Sequence, residues 1–288
     1  MISYTCKNCG AQMELGEAGS FICPYCESRS FLSDKDFREN KEFRKKLLAY
    51  YKAKNDEQSM SYETDTLWEC IGTQSFTTSK GQTMNIEYMD KVSYKKCICY
   101  VAKESIVYVF EDGLEANQFM AGLHKLVFPE ADSKLYKSFP ELKTIIELEK
   151  GKAIVFVRRP HFYPVKLFMP MEVRHVAWVI SRMENICCAL EYSNLQHNGI
   201  TLESLFVNVK THEGALFGDW REVGKKFDKE DLFSVRLVAK TLVEDDSKPV
   251  EFIEFLNSKP KDTAFDDFSY WDTVIEKGFG GHNFIKYE

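Results

Sequence analysis

HVAWVISRMENICCALEYSNLQHNGITLESLFVNVKTHEGALFGDW, residues 175–220, decides how the chain is read. Its first half sets Val176, Val179, Ile180, Met183, Cys187 and Leu190 at the 3.6-residue period of a helix with one apolar face. Pro170, just upstream, opens that segment. The second half changes period: SLFVNV and GALFGDW are short β-rich runs separated by polar KTHE, which predicts a small hairpin. His197 stands between helix and hairpin, and Asp219-Trp220 closes it.

Toward the C-terminus, KEDLFSVRLVAKTLV, PVEFIEFLN and DDFSYWDTVIEKGF carry helical spacing. Toward the N-terminus the pattern is different. WECIGTQSF, TMNIEYMD, KCICYVA and SIVYVFED alternate as strands do. LEANQFMAGLHKLVF then has helical spacing at Phe119, Leu123 and Leu126, with Pro129 expected to end it. LKTIIELE and KAIVFVRR follow, and the Lys150-Gly151 turn makes them a hairpin. Residues 68–158 thus predict an antiparallel sheet with one inserted helix, and the rest a mainly helical half.

The first 30 residues carry a separate signal. TCKNCG and FICPYCES place two CxxC knuckles 13 residues apart, between Cys9 and Cys23. Each knuckle aims two thiolates of one tight turn at the same point, and two knuckles complete a tetrahedral sulfur site. Cys6, Cys9, Cys23 and Cys26 are therefore read as the ligands of one structural Zn²⁺. Four thiolates leave the metal no open position for a substrate, so the zinc is not catalytic. Such ribbons dock protein or nucleic acid. Next, SDKDFRENKEFRKKLLAYYKAKN has a plausible N-cap in Ser33 and a thin stripe of Phe37, Phe43, Leu47 and Tyr50. Between Lys35 and Lys54 it holds eight basic residues against three acidic, which reads as a solvated helix or as a basic arm for nucleic acid. Residues 55–66 are polar and read as a linker.

Composition bounds the rest. The 288 residues carry a formal charge of −6, with 44% hydrophobic and 28% charged residues, as in ordinary globular domains. The mild acidity disfavours nucleic acid or an anionic membrane as the main partner of the whole chain. No apolar run is long enough to span a bilayer and no secretory signal opens the chain, so a cytoplasmic location is expected. Cys70, Cys97, Cys99, Cys187 and Cys188 are expected to be buried and reduced.

The order of elements, and residues 175–220 in particular, resembles the protein kinase family: a strand-rich N-lobe with one helix, then a helical C-lobe. His197 sits where the family has its HRD histidine, and Asp219-Trp220 is similar to the start of its DFG segment. The C-terminal KGFGGHNFIKYE also looks like the end of some bacterial kinase-like proteins. The resemblance covers residues 68–288 and implies an α+β chain: zinc ribbon at 1–32, basic helix and linker at 33–66, N-lobe at 67–158 and C-lobe at 159–288.

The departures from the family's motifs set the functional expectation. Phosphoryl transfer rests on positioned charge. The resemblance puts Tyr108 where the phosphate-binding lysine belongs and Met120 near the place of its glutamate partner. It puts Gly199 at the catalytic aspartate and Ser204 at the metal-binding asparagine. Only Gly72 and Gly81 lie between Trp68 and Asp112, so the Gly-rich phosphate loop is missing. Lys103 and Lys125 do not sit on the inward face that a substitute lysine would need. Asp219 could hold Mg²⁺ or be a turn aspartate, and His197 is expected to brace the loop backbone. Arg158, Arg159 and His161, at the lobe junction, read as a solvated edge, with an anion site the rarer alternative. The expectation is a zinc-binding pseudokinase scaffold that docks protein partners, with no phosphotransfer and no ATP/Mg²⁺. One alternative is an atypical kinase-like enzyme using Asp219. Another is a nucleic-acid-associated regulator using the ribbon and residues 35–54.

Overall fold

A computed structural model describes Tyr62 and residues 65–128, 135–224, 227–244 and 248–282, together with Ala11 and four short strands near the N-terminus. Those strands form two antiparallel pairs: β1 (Ser3–Thr5) with β2 (Gln12–Glu14), and β3 (Ser20–Ile22) with β4 (Arg29–Phe31). The cysteines Cys6, Cys9, Cys23 and Cys26 and the basic segment 35–54 lie outside the described residues.

The expected sheet is present. β5 (Gly72–Thr77), β6 (Thr83–Ser93), β7 (Cys97–Ala102), β8 (Ser105–Phe110), β9 (Leu142–Glu147) and β10 (Lys152–Val157) pair antiparallel in the order β5-β6-β7-β8-β10-β9. The two outer strands meet at one end. Ser79 N–H donates to Glu147 O at 2.9 Å and Glu149 N–H to Thr77 O at 2.8 Å. This partial closure satisfies edge groups that would otherwise stay unpaired. It also wraps a small second core of Ile86, Tyr100, Val107, Val109, Ala153 and Val155.

The opposite face of the sheet takes α1 (Gly113–Leu123), inserted between β8 and β9. Asp112 caps it, its side chain accepting from Leu114 N–H at 2.8 Å. The helix stops at Leu123, several residues before Pro129, because Lys125 and Leu126 already bond three residues back to Gly122 and Leu123. Pleating sends Tyr108 and Phe110 to the α1 side and Val107 and Val109 to the other.

The helical half is built on α2 (Val173–Tyr192). Its residues are buried on nearly every face, including Trp178 and Ile180 at 0% exposure. A helix buried all round must lie at the centre of its lobe. Around it stand α3 (Glu230–Leu242), α4 (Val250–Asn257) and α5 (Ala264–Phe279). The hairpin of β12 (Leu205–Asn208) and β13 (Glu213–Leu216) follows α2 as predicted, and β11 (Tyr163–Pro164) adds a third strand that the sequence did not announce. Two residues of β11 are too few for a periodic signal, and one is proline.

Three expectations need correction. Arg158 is no solvated edge: it is fully buried, and its Nη2 meets Asp65 Oδ2 at 2.9 Å. Its Nε also donates to Ala102 O at 3.0 Å, and Nη1 to Phe162 O at 3.0 Å. Asp65, placed in the polar linker from composition, is therefore a buried anchor, which also accepts from the Tyr163 hydroxyl. His161 is buried beside it. A buried pair so fully hydrogen-bonded recovers its desolvation cost, which an exposed pair never has to meet. Finally, Cys97, Cys99 and Cys187 are buried, but Cys188 is only partly covered and Cys70 is exposed.

Candidate functional site

The residues singled out from sequence converge between the sheet and the helical half. Tyr108 lies on β8, opposite Cys99 of β7 and Ile154 of β10. It is fully buried, with its ring 4.7 Å from Phe119 of α1 and 5.8 Å from Phe156. The ring partner on α1 is thus Phe119, next to the buried Met120. Burial drives the Tyr108 hydroxyl well above its ordinary range, with the Cys99 thiol adding to it. This position carries a neutral aromatic body and no cation.

Above Tyr108 lies a residue that motif comparison passed over. β6 and β7 are joined by only Tyr94, Lys95 and Lys96, and Tyr94 N–H closes that turn on Cys97 O at 2.8 Å. The Tyr94 ring stacks on Tyr108 at 6.2 Å and 21°. Burial raises its hydroxyl, and the thiols of Cys99 and Cys97 and the carboxylates of Asp219 and Glu203 add to the shift. This strand connection turns tightly and lays an aromatic ring inward.

Asp219 follows β13 and caps the short 3-10 turn Trp220–Glu222. Its carboxylate is engaged by Arg221. Arg221 Nε lies 2.9 Å from Oδ1 and 3.2 Å from Oδ2, while Nη2 also donates to Oδ2. The other arm of the guanidinium reaches α1, with Nη1 2.6 Å from Glu115 Oε2. Lys96 Nζ stands 3.9 Å from Glu115 Oε1. The hydrogen bond to Asp219 is the main reason the Arg221 pKa is raised. Both carboxylates therefore share one planar cation, which fits them as a fork and is only 5% exposed.

The loop from Gln196 to Ser204 is held from below. Asp231, in the first turn of α3, accepts His197 N–H at 2.7 Å and Asn198 N–H at 2.9 Å. Burial raises its pKa to about 6, against the lowering effect of those bonds. The His197 ring packs on Trp220 at 4.5 Å, and Trp220 on Phe139 at 5.9 Å. Burial lowers the His197 pKa to about 4, so the ring is neutral and acts as a wedge. Gly218 makes room for it: a Cβ there would fall 2.3 Å from His197 Cε1. Gly122 does the same for α1, since a Cβ would fall 1.8 Å from Trp220 O. Ser204 is buried and its hydroxyl donates to Gly199 O at 2.6 Å, while accepting from Thr201 N–H at 2.8 Å. Gly199 has no side chain with which to take a proton.

Tyr108, Met120, His197, Gly199, Ser204 and Asp219 were singled out in the sequence through the family resemblance. Tyr94, Glu115, Arg221 and Asp231 were missed. Arg221 stands two residues after Asp219 and Tyr94 in a three-residue strand connection, so each had a local signal. Among the described residues no group of three or more His, Cys, Asp or Glu could hold a metal, and no helix is long and apolar enough to cross a membrane.

The sequence matches no protein-family model and no curated protein. Among solved structures, it is similar to the ROP18 kinase domain in complex with AMP-PNP and sucrose, at 12% identity and a TM-score of 0.49, covering 83% of this chain and 95% of that one. It is also similar to a Toxoplasma gondii specific rhoptry antigen kinase domain, at 10% identity and TM-score 0.49, covering 82% and 96%. WbdD is matched at 10% identity and TM-score 0.48 over 67% of this chain and 47% of that chain, so less than half of its length is spanned.

Proposed function

We propose that residues 67–282 form a protein-kinase-like domain without phosphotransfer, which serves as a scaffold for protein partners and carries an N-terminal zinc ribbon. The observation that carries this reading is the use of Arg221 as an internal cation. A phosphoryl-transfer site needs Asp219 free to hold a divalent ion against phosphate oxygens. Here the guanidinium already occupies both oxygens and ties them to Glu115. Tyr94 and Tyr108 take up the volume beside it, and Glu203 adds negative charge rather than positive. A triphosphate entering this space would meet buried aromatic rings and carboxylates, and the cations beside it, Arg221 and Lys96, already face Asp219 and Glu115.

The ribbon part of the proposal rests on spacing and on the strands that bracket it. Cys6 and Cys9 lie in the connection between the paired β1 and β2, and Cys23 and Cys26 in that between β3 and β4. One CxxC in each of two hairpin turns is the arrangement a four-thiolate zinc site requires.

The decisive experiment is a thermal melt of the full chain with ATP, alone and with Mg²⁺ or Mn²⁺. The proposal expects no shift beyond that caused by a matched salt. A saturable rise in melting temperature that is lost in Asp219→Ala would replace it with a nucleotide-using enzyme.

A further inference from the structure

Away from that cleft, on the side of the molecule where β10 ends, a groove of about 340 Å³ opens between α2, β13 and the 3-10 turn Leu135–Ser138. Its walls include Lys137, Ser138, Arg159, Arg182, Asn185 and Glu213. Three are cations and one is a carboxylate, so the groove is positive by two charges in a chain that is negative overall. A volume near 340 Å³ falls at the lower end of the roughly 300–1,000 Å³ typical of small-ligand sites.

The two arginines are held in place, Arg159 by one long ion pair and a ring contact. The Arg159 guanidinium lies 4.1 Å from the centre of the Phe162 ring, and its Nη2 donates to the backbone oxygen of Lys137. Its nearest carboxylate is Glu213, at 3.8 Å from Nη1, too long for a hydrogen bond. The Arg182 Nε is shut off from solvent and has no hydrogen-bond partner among the described residues. Burial lowers the pKa of both arginines; Glu213 offsets this in part at both, and Glu141 and Tyr136 add to the offset at Arg159. Two guanidinium groups half out of water, sharing Glu213 and with Glu141 acting on Arg159 alone, leave donors that an anion would satisfy.

We infer that this groove is a binding site for a phosphate monoester, held by Arg159 and Arg182 with Lys137 adding charge and Ser138 and Asn185 offering neutral donors. The monoester dianion suits walls in which cations outnumber carboxylates, and its three terminal oxygens can take the forked donors of both arginines. Carboxylates match neither the charge nor the number of acceptors. The site is independent of the cleft that holds Asp219, so nucleotide insensitivity there neither supports nor weakens it.

The test is calorimetric titration of the full chain with phenyl phosphate, inorganic phosphate, a phosphoserine peptide and benzoate. Saturable binding of phenyl phosphate, stronger at pH 7.5 than at pH 5.5 as the second proton leaves, is the expected result, with benzoate silent. Arg182→Gln should weaken it about tenfold or more, the size of losing a charged hydrogen bond. Glu213→Gln should strengthen it several-fold by removing the competing carboxylate. That gain remains decisive even if Arg182→Gln proves unstable. Tighter binding of the peptide than of phenyl phosphate would identify a phosphorylated protein as the source, and equal binding of inorganic phosphate would identify the free ion. No saturable heat with any phosphate probe, or binding unchanged in Glu213→Gln and Arg182→Gln alike, overturns the assignment.

Discussion

Arg221 and Asp219 are two residues apart in the chain, yet their side chains face each other as a fork on a carboxylate, with Nε 2.9 Å from Oδ1. The same guanidinium bonds Glu115, 106 residues earlier, at 2.6 Å. One guanidinium thus offsets two carboxylates that come from separate elements. It also ties α1 to the loop after β13, beside the close approach of Gly122 to Trp220.

Removing that cation should leave Asp219 with only a backbone N–H donor and Glu115 with only the more distant Lys96. Arg221→Gln is expected to cost about 3 kcal/mol, as when one member of a buried pair is lost. The variant should also become sensitive to divalent ions, with Mn²⁺ raising its melting temperature and leaving the parent protein unchanged. Melting curves with and without Mn²⁺ measure both effects. A variant as stable as the parent would show that the fork contributes nothing.

Tyr108 tests the proposed reading of the cleft. Tyr108→Lys places a charge against Phe119 and Phe156 with no carboxylate at hand, so the melting temperature should fall and ATP should give no shift. Tyr108→Phe keeps the ring contacts and removes one buried hydroxyl, and should change stability by less than about 1 kcal/mol. ATP binding by Tyr108→Lys would mean that the pocket is intact.

Gly218 is the tightest point under the loop. Gly218→Ala would drive a methyl group into His197 Cε1 and should destabilise by about 1–3 kcal/mol. Gly218→Ala combined with His197→Ala should recover part of that loss, because the clash partner is gone. Denaturant melts of the three variants decide it, and additive losses would rule out the packing argument.

The pH dependence carries two opposing contributions. His197 and His175 each have a folded-state pKa lowered by burial to about 4. In the unfolded chain they take up a proton near pH 6.5, so their stabilising contribution is full above that and is lost as pH falls through about 4. Glu184 works the other way. It is fully buried near Asp267, and burial raises its pKa well above the ordinary range. It holds its proton when folded but gives it up when unfolded above about pH 4.3, so it costs stability increasingly as pH rises. Glu184→Gln removes that cost and should raise the melting temperature at pH 7.5 more than at pH 5. The reverse ordering would mean that Glu184 is ionised in the fold.

Zinc should be present at one ion per chain, and Cys23→Ser should lower that content. Loss of structural zinc should leave the main melting transition in place, because Trp178, Trp271 and the rest of the large core lie in residues 67–282. Elemental analysis and calorimetry read these out. A collapse of the main transition on chelation would mean that the ribbon and the core unfold together.

Local pattern alone determined the order of the longer elements, and left out the two-residue β11. The shift from alternating runs before Val157 to helical spacing after Pro170 reflects which faces must be buried, and a periodic run of apolar residues states that without reference to the rest of the chain. Gly199 and Tyr108 were singled out by the resemblance to the kinase family and not by periodicity. Tertiary structure alone decided what surrounds them. Arg158 finds Asp65 across 93 positions and Arg221 finds Glu115 across 106, and no periodicity records such a partner. A charge in a polar stretch looks the same whether it is solvated or buried. Only packing that excludes water separates the two, by making an unpaired charge too costly to keep.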